Sequence, residues 1–415
     1  MSSSHEGWMD LPMELLELIF QRLSLMDNLM SCRATCRSWR NAAEAVLFSS
    51  PLLLRLALES DGGTHDDIIG ILSFPWSNHH SIVLTETLWP HHRTCLHDIS
   101  RVYSVQGWLM LNQFHCVSNN NNEDQTFSEL SFFNPLSRAR FKLPKLLLFS
   151  GTSPPYCQVR LAFNSAPPGS EEFVVVFLEP KNKEQRLAFI RFKQGSWIEI
   201  ESDEIFYDIA VDYDDKFYGL VFNHDTSDVF VLNLRDYHNE LLVMLNTIKD
   251  TNFDEFVFRI LSYRRYQLAM DTSTGELLLV RRSHGTGWDN PCDSSYTFGF
   301  CVFKLERSNL RWCKVFDIGD RFLFWDDTKV SVVSAKELTL PEKFKGGNCI
   351  FFCDENENGD IGVFFLADES ISRSPKNTSA SWLQDMWYFA GIHGAGTSLP
   401  ASAPIYSWVP VPAGA

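Results

Sequence analysis

Residues 216–232 read KFYGLVFNHDTSDVFVL: an apolar run through Phe217, Tyr218, Gly219 and Leu220, a polar gap, then a second run, Val229-Phe230-Val231-Leu232. Aromatic and β-branched side chains suit a half-buried pleated surface, so short runs of them broken by Asn, Asp and Gly read as strand, turn and strand. The same unit recurs on both sides. Toward the N-terminus, Gly107-Trp108-Leu109-Met110-Leu111 is followed by Ser131-Phe132-Phe133-Asn134, and the run from Phe173 to Phe177 by Leu187 to Phe192. Toward the C-terminus, Gly275-Glu276-Leu277-Leu278-Leu279 is followed by Cys301-Val302-Phe303, and Asn348-Cys349-Ile350-Phe351-Phe352 by Gly362-Val363-Phe364-Phe365. Strand pairs at intervals of roughly 45 to 75 residues match radially repeated four-stranded blades. Two packed sandwiches would supply similar strands, but a sandwich has no reason to repeat one internal order, so the pattern favours a β-propeller. Six or seven blades would suit a segment of roughly 330 residues.

The 415 residues leave room for one small module beside that large domain. With 45% apolar and 21% charged residues, the composition excludes wholesale disorder and a small disulfide scaffold. The 52 acidic against 36 basic side chains leave a net charge of −16, which repels polyanions; neither nucleic acid nor a membrane is an expected partner. Ten Cys at irregular spacing read as reduced thiols. The opening MSSSHEGWMD lacks the basic start and apolar stretch of a secretory leader. No apolar run reaches the ~18 residues of a membrane span, and the run from Leu52 to Leu58 is broken by Arg55. The expectation is a soluble protein of the cytoplasm and/or nucleus, where the sequon Asn377-Thr378-Ser379 has no role.

Residues 8–48 follow a different rule and read as three helices. Pro12 and Glu14 suit a first helical turn, since a missing N–H costs nothing there and a carboxylate favours the positive dipole end. Ser24-Leu25-Met26-Asp27 offers a capping-box-like second start. Cys36, Trp39, Ala43 and Leu47 recur at helical spacing on one face of a third helix, with Arg33, Arg37 and Arg40 on another. Leu11, Met13, Leu15, Leu16, Leu18, Ile19, Phe20, Leu23, Leu25, Met26, Leu29 and Met30 exceed what one face of two short helices can hide. A piece of about forty residues also sits where a chain usually needs staples or a partner. The surplus is covered either by the rest of the chain or by a second protein.

These residues resemble the F-box family. Leu11-Pro12, Glu14-Leu15-Leu16, Ile19, Leu23-Ser24-Leu25, Asp27-Asn28-Leu29 and Cys36-Arg37-Ser38-Trp39-Arg40 fall in its order and spacing, while Ala34-Thr35 departs from it. The resemblance implies docking on a Skp-type adaptor and through it a cullin, with Leu11, Pro12, Leu15, Ile19, Leu23, Leu29, Cys36 and Trp39 as the adaptor contacts. Further along, Phe133-Asn134-Pro135-Leu136-Ser137-Arg138, Leu143-Pro144, Tyr207-Asp208-Ile209-Ala210, Ile318-Gly319-Asp320-Arg321 and Pro404-Ile405-Tyr406-Ser407-Trp408-Val409 resemble the plant Kib-type β-propeller family, formerly a domain of unknown function. The expected fold is therefore mainly β with a small α module. It comprises an F-box over 8–48, a linker over 49–64 and a propeller over 65–412, with 367–403 rich in loop.

Other constellations weigh less. His91-His92-x-x-Cys95-x-His97 lacks a second cluster at structural-zinc spacing. Cys349 and Cys353 lie on one side of a strand and read as buried packing. Cys32 and Cys36, one helical turn apart, read as packing within or beneath the F-box. Asp354-Glu355-Asn356-Glu357-Asn358-Gly359 begins like a calcium loop, but its twelfth position is Phe365 rather than a bidentate Glu, and a hairpin turn explains it. The acidic stretch Asp203 to Asp215 reads as a solvated strand face. P-loop, zincin and nucleophile-elbow motifs are absent, and Gly394-x-Gly396 stands alone. No catalytic residue, metal or cofactor is expected. The family resemblances imply a non-catalytic, substrate-recruiting subunit of an SCF-type ubiquitin ligase whose target protein is unknown. The competing expectations are an interaction scaffold outside any ligase and a propeller enzyme or lectin with its site in the central channel.

Overall fold

The computed structural model describes residues 11–22, 32, 35–48, 51–60, 66–73, 81–84, 99–105, 107–118, 124–134, 140–147, 160–164, 170–181, 184–202, 204–222, 227–236, 243–245, 263–271, 273–285, 296–309, 311–326, 328–338, 340, 344, 346–353, 361–373 and 382–389. Helix α1 (Met13–Arg22) opens where the Pro12 carbonyl accepts the Leu15 and Leu16 amides, each at 3.1 Å. Helix α2 (Arg37–Phe48) opens where the Cys36 carbonyl accepts the Arg40 amide at 2.9 Å. Cys36 thus stands just ahead of the helix on which the sequence had placed it. Leu16 and Phe20 of α1 are buried, as are Ala42 and Ala43 of α2, and the Phe20 and Trp39 rings meet edge to face at 5.6 Å. The second expected helix, from Ser24, lies outside the described residues.

The chain then forms strands β1 (Pro51–Ser60), β2 (Asp66–Ser73) and β3 (Ser81–Leu84). Next come β4 (Ile99–Val105), β5 (Trp108–Ser118), β6 (Asp124–Phe133), β7 (Arg140–Lys142) and β8 (Leu146–Leu147). A second group holds β9 (Arg160–Phe163), β10 (Val174–Lys181), β11 (Glu184–Arg191) and β12 (Ile198–Ile200). A third holds β13 (Phe206–Val211), β14 (Lys216–Phe222), β15 (Ser227–Asn233) and β16 (Val243–Leu245). A fourth holds β17 (Tyr263–Asp271), β18 (Glu276–Gly285), β19 (Tyr296–Glu306) and β20 (Arg311–Val315). The last strands are β21 (Arg321–Trp325), β22 (Val330–Ser334), β23 (Cys349–Phe352), β24 (Gly362–Phe365), β25 (Ile371–Arg373) and β26 (Trp382–Phe389).

Four blades are antiparallel sheets of consecutive strands, in the orders β4-β5-β6-β7 with β8 beside β6, β9 to β12, β13 to β16, and β17 to β20. The fifth runs β22-β21-β23-β24-β25, so β21 pairs parallel with β23 and the first hairpin is reversed relative to the others. The five strand pairs visible in the sequence are the middle hairpins of these blades, β5–β6, β10–β11, β14–β15, β18–β19 and β23–β24. The expectation of six or seven blades is corrected accordingly. Local repeats build five, and the ends of the chain meet in a composite closing sheet, β26-β1-β2-β3. That sheet corrects one further expectation: residues 49–64 are not simply a linker, because β1 registers with both β2 and β26. Within the stretch 367–403, β25 joins the fifth blade and β26 the closing sheet. A short apolar run such as PLLLRLALES looks alike in a helix and in a buried strand, and nothing local reveals a partner at the other end of the chain.

The core lies between neighbouring sheets. Tyr103, Met110 and Phe132 pack against Phe173, Val175 and Phe177, and Val176 and Phe189 against Phe206 and Phe217. Phe300 and Val302 meet Trp325, Ile350 and Phe352. Trp387 of β26 inserts against Phe324 and Phe351, with ring centroids 5.2 and 6.1 Å away. Gly219 is required in the β13–β14 pair because a Cβ there would lie 2.4 Å from Phe206 Cδ1. The edge strands β9, β13, β17 and β22 touch in sequence around the centre, and β26 touches β4.

Candidate functional site

Helix α1 has two apolar faces. Leu16 and Phe20 point into the helical module, whereas Leu15 is 47% and Leu18 51% exposed. With Leu11, which is partly exposed, they follow the i, i+4, i+7 spacing that forms one stripe along a helix. Met13 is exposed at the first turn, Pro12 is exposed, and Ile19 is partly exposed at the border between stripe and core. Cys36 and Trp39 are partly exposed. Leu23 and Leu29 lie outside the described residues. The structure therefore gathers Leu15 and Ile19 on α1 with Leu11 and Pro12 just ahead of it, sets Trp39 on α2 against Phe20, and adds Leu18 and Met13 to the exposed apolar surface. The signal for Leu18 was in the sequence, three residues after Leu15. Cys32 is buried in the module, and desolvation raises its thiol above the ordinary range.

Across the propeller, polar side chains join neighbouring blades near the centre. Asp208 Oδ2 of β13 accepts the Leu268 amide of β17 at 2.6 Å, and Gln267 Nε2 of β17 donates to the Asp326 carbonyl at 2.9 Å. Asp326 Oδ2 accepts the Trp387 amide of β26 at 3.4 Å, and Lys329 Nζ donates to the Ser104 carbonyl of β4. Burial pushes the Asp208 carboxyl up to about 6, against the opposing Arg160 charge, and raises that of Asp326 as well. The same desolvation pulls Lys329 down to about 8, partly offset by Asp326. These groups tie inner strands together, and no group of three metal-ligating side chains occurs among the described residues.

The turns after the first strands of four blades carry a repeated device. Asn164, Asp212, Asp271 and Asp326 each close the first strand of a blade hairpin. Their side-chain oxygens accept the amides of Val174, Lys216, Ser273 and Thr328, at 3.1, 2.9, 2.9 and 2.8 Å. Asp208, Asp212 and Asp215 are buried, which corrects the reading of Asp203 to Asp215 as a solvated face. The partners that permit this come from elsewhere in the chain: Arg191 and Arg235 both reach Asp215 Oδ2, at 2.6 and 3.1 Å, and the Tyr218 hydroxyl donates to Asp212 at 3.0 Å. Cys349 and Cys353 are buried as packing, their thiols directed at the Gly347 and Trp325 carbonyls. Burial, with Asp368 nearby, pushes the Cys349 thiol up to about 11. The His91 cluster and Asp354 to Gly359 lie outside the described residues.

A family model of the F-box domain matches residues 8–49, and one described as the KIB1-4 beta-propeller matches residues 73–365. A search of curated proteins returns no match. Among solved structures, the β-propeller domain of the Trilobed protease from Pyrococcus furiosus is 8% identical, with 69% of this chain and 95% of that chain covered at a TM-score of 0.28. The N-terminal domain of Nup159 is 10% identical, with 77% and 94% covered at a TM-score of 0.29. Scores this low carry nothing about fold or function.

Proposed function

The chain belongs to the KIB1-4 β-propeller family and carries an F-box ahead of the propeller, and from this premise we propose that it is the target-recognition subunit of an SCF-type E3 ubiquitin ligase. The observation that carries the reading is the pair Leu15 and Leu18, continued by the partly exposed Leu11 just ahead of the helix, which faces water while the helix's other apolar face is already filled by Leu16 and Phe20. At roughly 1.5–3 kcal/mol per fully buried Leu or Ile, covering such a stripe supplies a large gross driving force before association costs. A Skp-type adaptor is the proposed cover, with Leu11, Pro12, Leu15, Leu18, Ile19, Leu23, Leu29, Cys36 and Trp39 as contacts, and a cullin joins through it.

In this reading the propeller holds a target protein while a charged conjugating enzyme sits nearby on the same assembly. The contribution is effective concentration and orientation rather than bond chemistry, so the chain acts as a receptor in the cytoplasm or nucleus and not as an enzyme. Replacing Leu11 and Pro12 by Ala together with Ile19→Ala should abolish co-purification with the adaptor and leave propeller unfolding unchanged. Undiminished adaptor recovery would overturn the proposal. Recovery of adaptor without cullin from the unmodified chain would point to a scaffold outside the ligase.

A further inference from the structure

The first turns of the third and fourth blades are built on one plan. Asp212 follows β13 and Asp271 ends β17, and each turn passes through a residue at positive φ, Asp215 at 62° and Gly275 at 70°. The Asp215 amide donates to the Asp212 carbonyl at 3.1 Å, and the Gly275 amide to the Asp271 carbonyl at 2.7 Å. In both blades an arginine shortly beyond the third strand turns back onto that positive-φ residue. Arg235, past the end of β15, sets Nε 3.1 Å from Asp215 Oδ2. Arg307, past the end of β19, donates from Nη2 to the Gly275 carbonyl at 2.7 Å.

The two turns differ in the anion. In the third blade the Asp215 carboxylate, reinforced by the charge of Asp214, holds the Arg235 guanidinium above its ordinary range. Counted back from the positive-φ residue, Asp214-Asp215 of the third blade matches Thr274-Gly275 of the fourth, and neither of the latter carries a charge. Arg307 is exposed, and among the described residues it has no ion-pair partner; its other contact is the Tyr218 hydroxyl of the third blade at 3.3 Å. The neighbouring carboxylates are already engaged. Asp271 and Glu276 share Arg321, and Glu276 also holds Lys304. Glu306 accepts from Asn309 at 2.8 Å, and Asp212 accepts the Tyr218 hydroxyl. The fourth blade thus has the cation of the third blade's turn without its acid.

We propose that Thr274 is a phosphorylation site whose phosphate supplies to Arg307 the anion that Asp214 and Asp215 supply to Arg235. Thr274 is exposed, and Asp271 and Glu276 flank it in the chain, a setting complementary to the basic cleft of an acid-directed protein kinase. Its Oγ1 attacks the γ-phosphorus of the kinase's nucleoside triphosphate. The new O–P bond forms as the bond to the departing diphosphate breaks, and the hydroxyl proton passes to the kinase's base. Thr274 gives up its 2.8 Å hydrogen bond to Asp271 Oδ2, but Asp271 keeps the Ser273 hydroxyl at 2.6 Å and Arg321 at 2.7 Å, so the turn survives. A phosphate opposite a guanidinium gains charge-assisted hydrogen bonds, while Arg321 and Lys304 offset the two acids beside it. Ser273 is exposed as well, but it matches Tyr213, where the third blade has no acid. Because Arg307 also reaches Tyr218, the modification acts where the third and fourth blades meet.

The test treats the full chain, with its adaptor wherever the two co-purify, with ATP and a protein kinase directed to Ser and Thr beside acidic residues. Fragment-ion mass spectrometry should place a phosphate on Thr274. The phosphorus NMR resonance of that phosphothreonine should titrate at lower pH than in a phosphopeptide of residues 270–278, by about a tenfold loss of proton affinity, because a guanidinium favours the dianion. Arg307→Ala should return the titration to that of the peptide, which a merely structural role of Arg307 would not do. Should Arg307→Ala perturb folding, Arg307→Lys keeps the charge without the planar fork and should retain part of the shift. No phosphate in the turn, phosphate on Ser273 alone, or the peptide's titration in the unmodified chain overturns the proposal. The inference does not depend on the ligase reading, and adaptor recovery from the same samples separates the two. Lost recovery with a phosphothreonine that still titrates low sinks the ligase reading alone, and the reverse sinks this site alone.

Discussion

Arg321, at the start of β21, reaches back to the preceding blade and sets Nη1 2.7 Å from Asp271 Oδ2. The same nitrogen lies 2.7 Å from Glu276 Oε2, so one guanidinium clamps both ends of the β17–β18 turn. Burial pushes the Asp271 carboxyl upward, but hydrogen bonds from Ser273, Arg321 and Thr274 outweigh it and hold the group below the ordinary carboxylate range.

Arg321→Ala leaves that carboxylate without its cation and should cost about 3 kcal/mol in urea unfolding. A depressed folded value means the stabilisation is present above the unfolded value near 3.9 and is lost as pH falls through the folded one. The unmodified chain should therefore lose stability below about pH 4, and the variant should show a shallower acid limb.

Asp208 gives the opposite slope. Its folded carboxyl keeps a proton up to about 6, whereas an unfolded Asp releases it near 3.9. Between those values the folded state binds more protons, so this group favours folding at lower pH, and that contribution fades as pH rises through about 6. Asp208→Asn should remove the slope and raise stability at pH 8 by on the order of 2 kcal/mol relative to pH 5. Urea midpoints at the two pH values, compared with the unmodified chain, check this; an unchanged slope would show that Asp208 titrates normally.

Trp387 is the plug of the closing sheet. It is 1% exposed, its indole Nε1 donates to the Trp325 carbonyl at 3.0 Å, and its amide meets Asp326. Trp387→Ala should cost about 3–5 kcal/mol. Removing residues from 374 onward takes away β26 and uncovers the edge of β1, so the truncated chain should aggregate. Light scattering during refolding distinguishes this from simple destabilisation.

Leu15 and Leu18 should behave unlike Phe20. Leu15→Ala with Leu18→Ala removes exposed apolar surface, leaving the unfolding free energy within about 0.5 kcal/mol of the unmodified chain while adaptor affinity falls. Phe20→Ala opens a cavity in the helical module and should cost about 3–5 kcal/mol, with hydrogen-exchange protection lost in α1 and α2. Equal stability loss in both variants would place the stripe in the interior.

The legible part of this protein is the part written over short distances. Helix α1 shows in Pro12 and Glu14 at its first turn and in the apolar residues that follow, and the five middle hairpins show as apolar runs across a polar gap, because capping, hydrophobic period and turn chemistry act within a dozen residues. The exposed helix stripe belongs to the same class, since Leu18 follows Leu15 by three residues. The buried acids were misread for a physical reason. An Asp between Ile and Tyr looks solvated until a cation or amide arrives from elsewhere, and for Asp215 those partners are Asn164, Arg191 and Arg235.

Sequence alone determined the five middle hairpins, the helical character of the N-terminal module and that its helices carry more apolar surface than they can hide. Tertiary structure alone decided that β26 lies beside β1 and that the first hairpin of the last blade is reversed. A backbone edge offers the same amides and carbonyls to any strand, so its partner is chosen by the closing of the whole ring, and no residue near Pro51 records a pairing with Phe389.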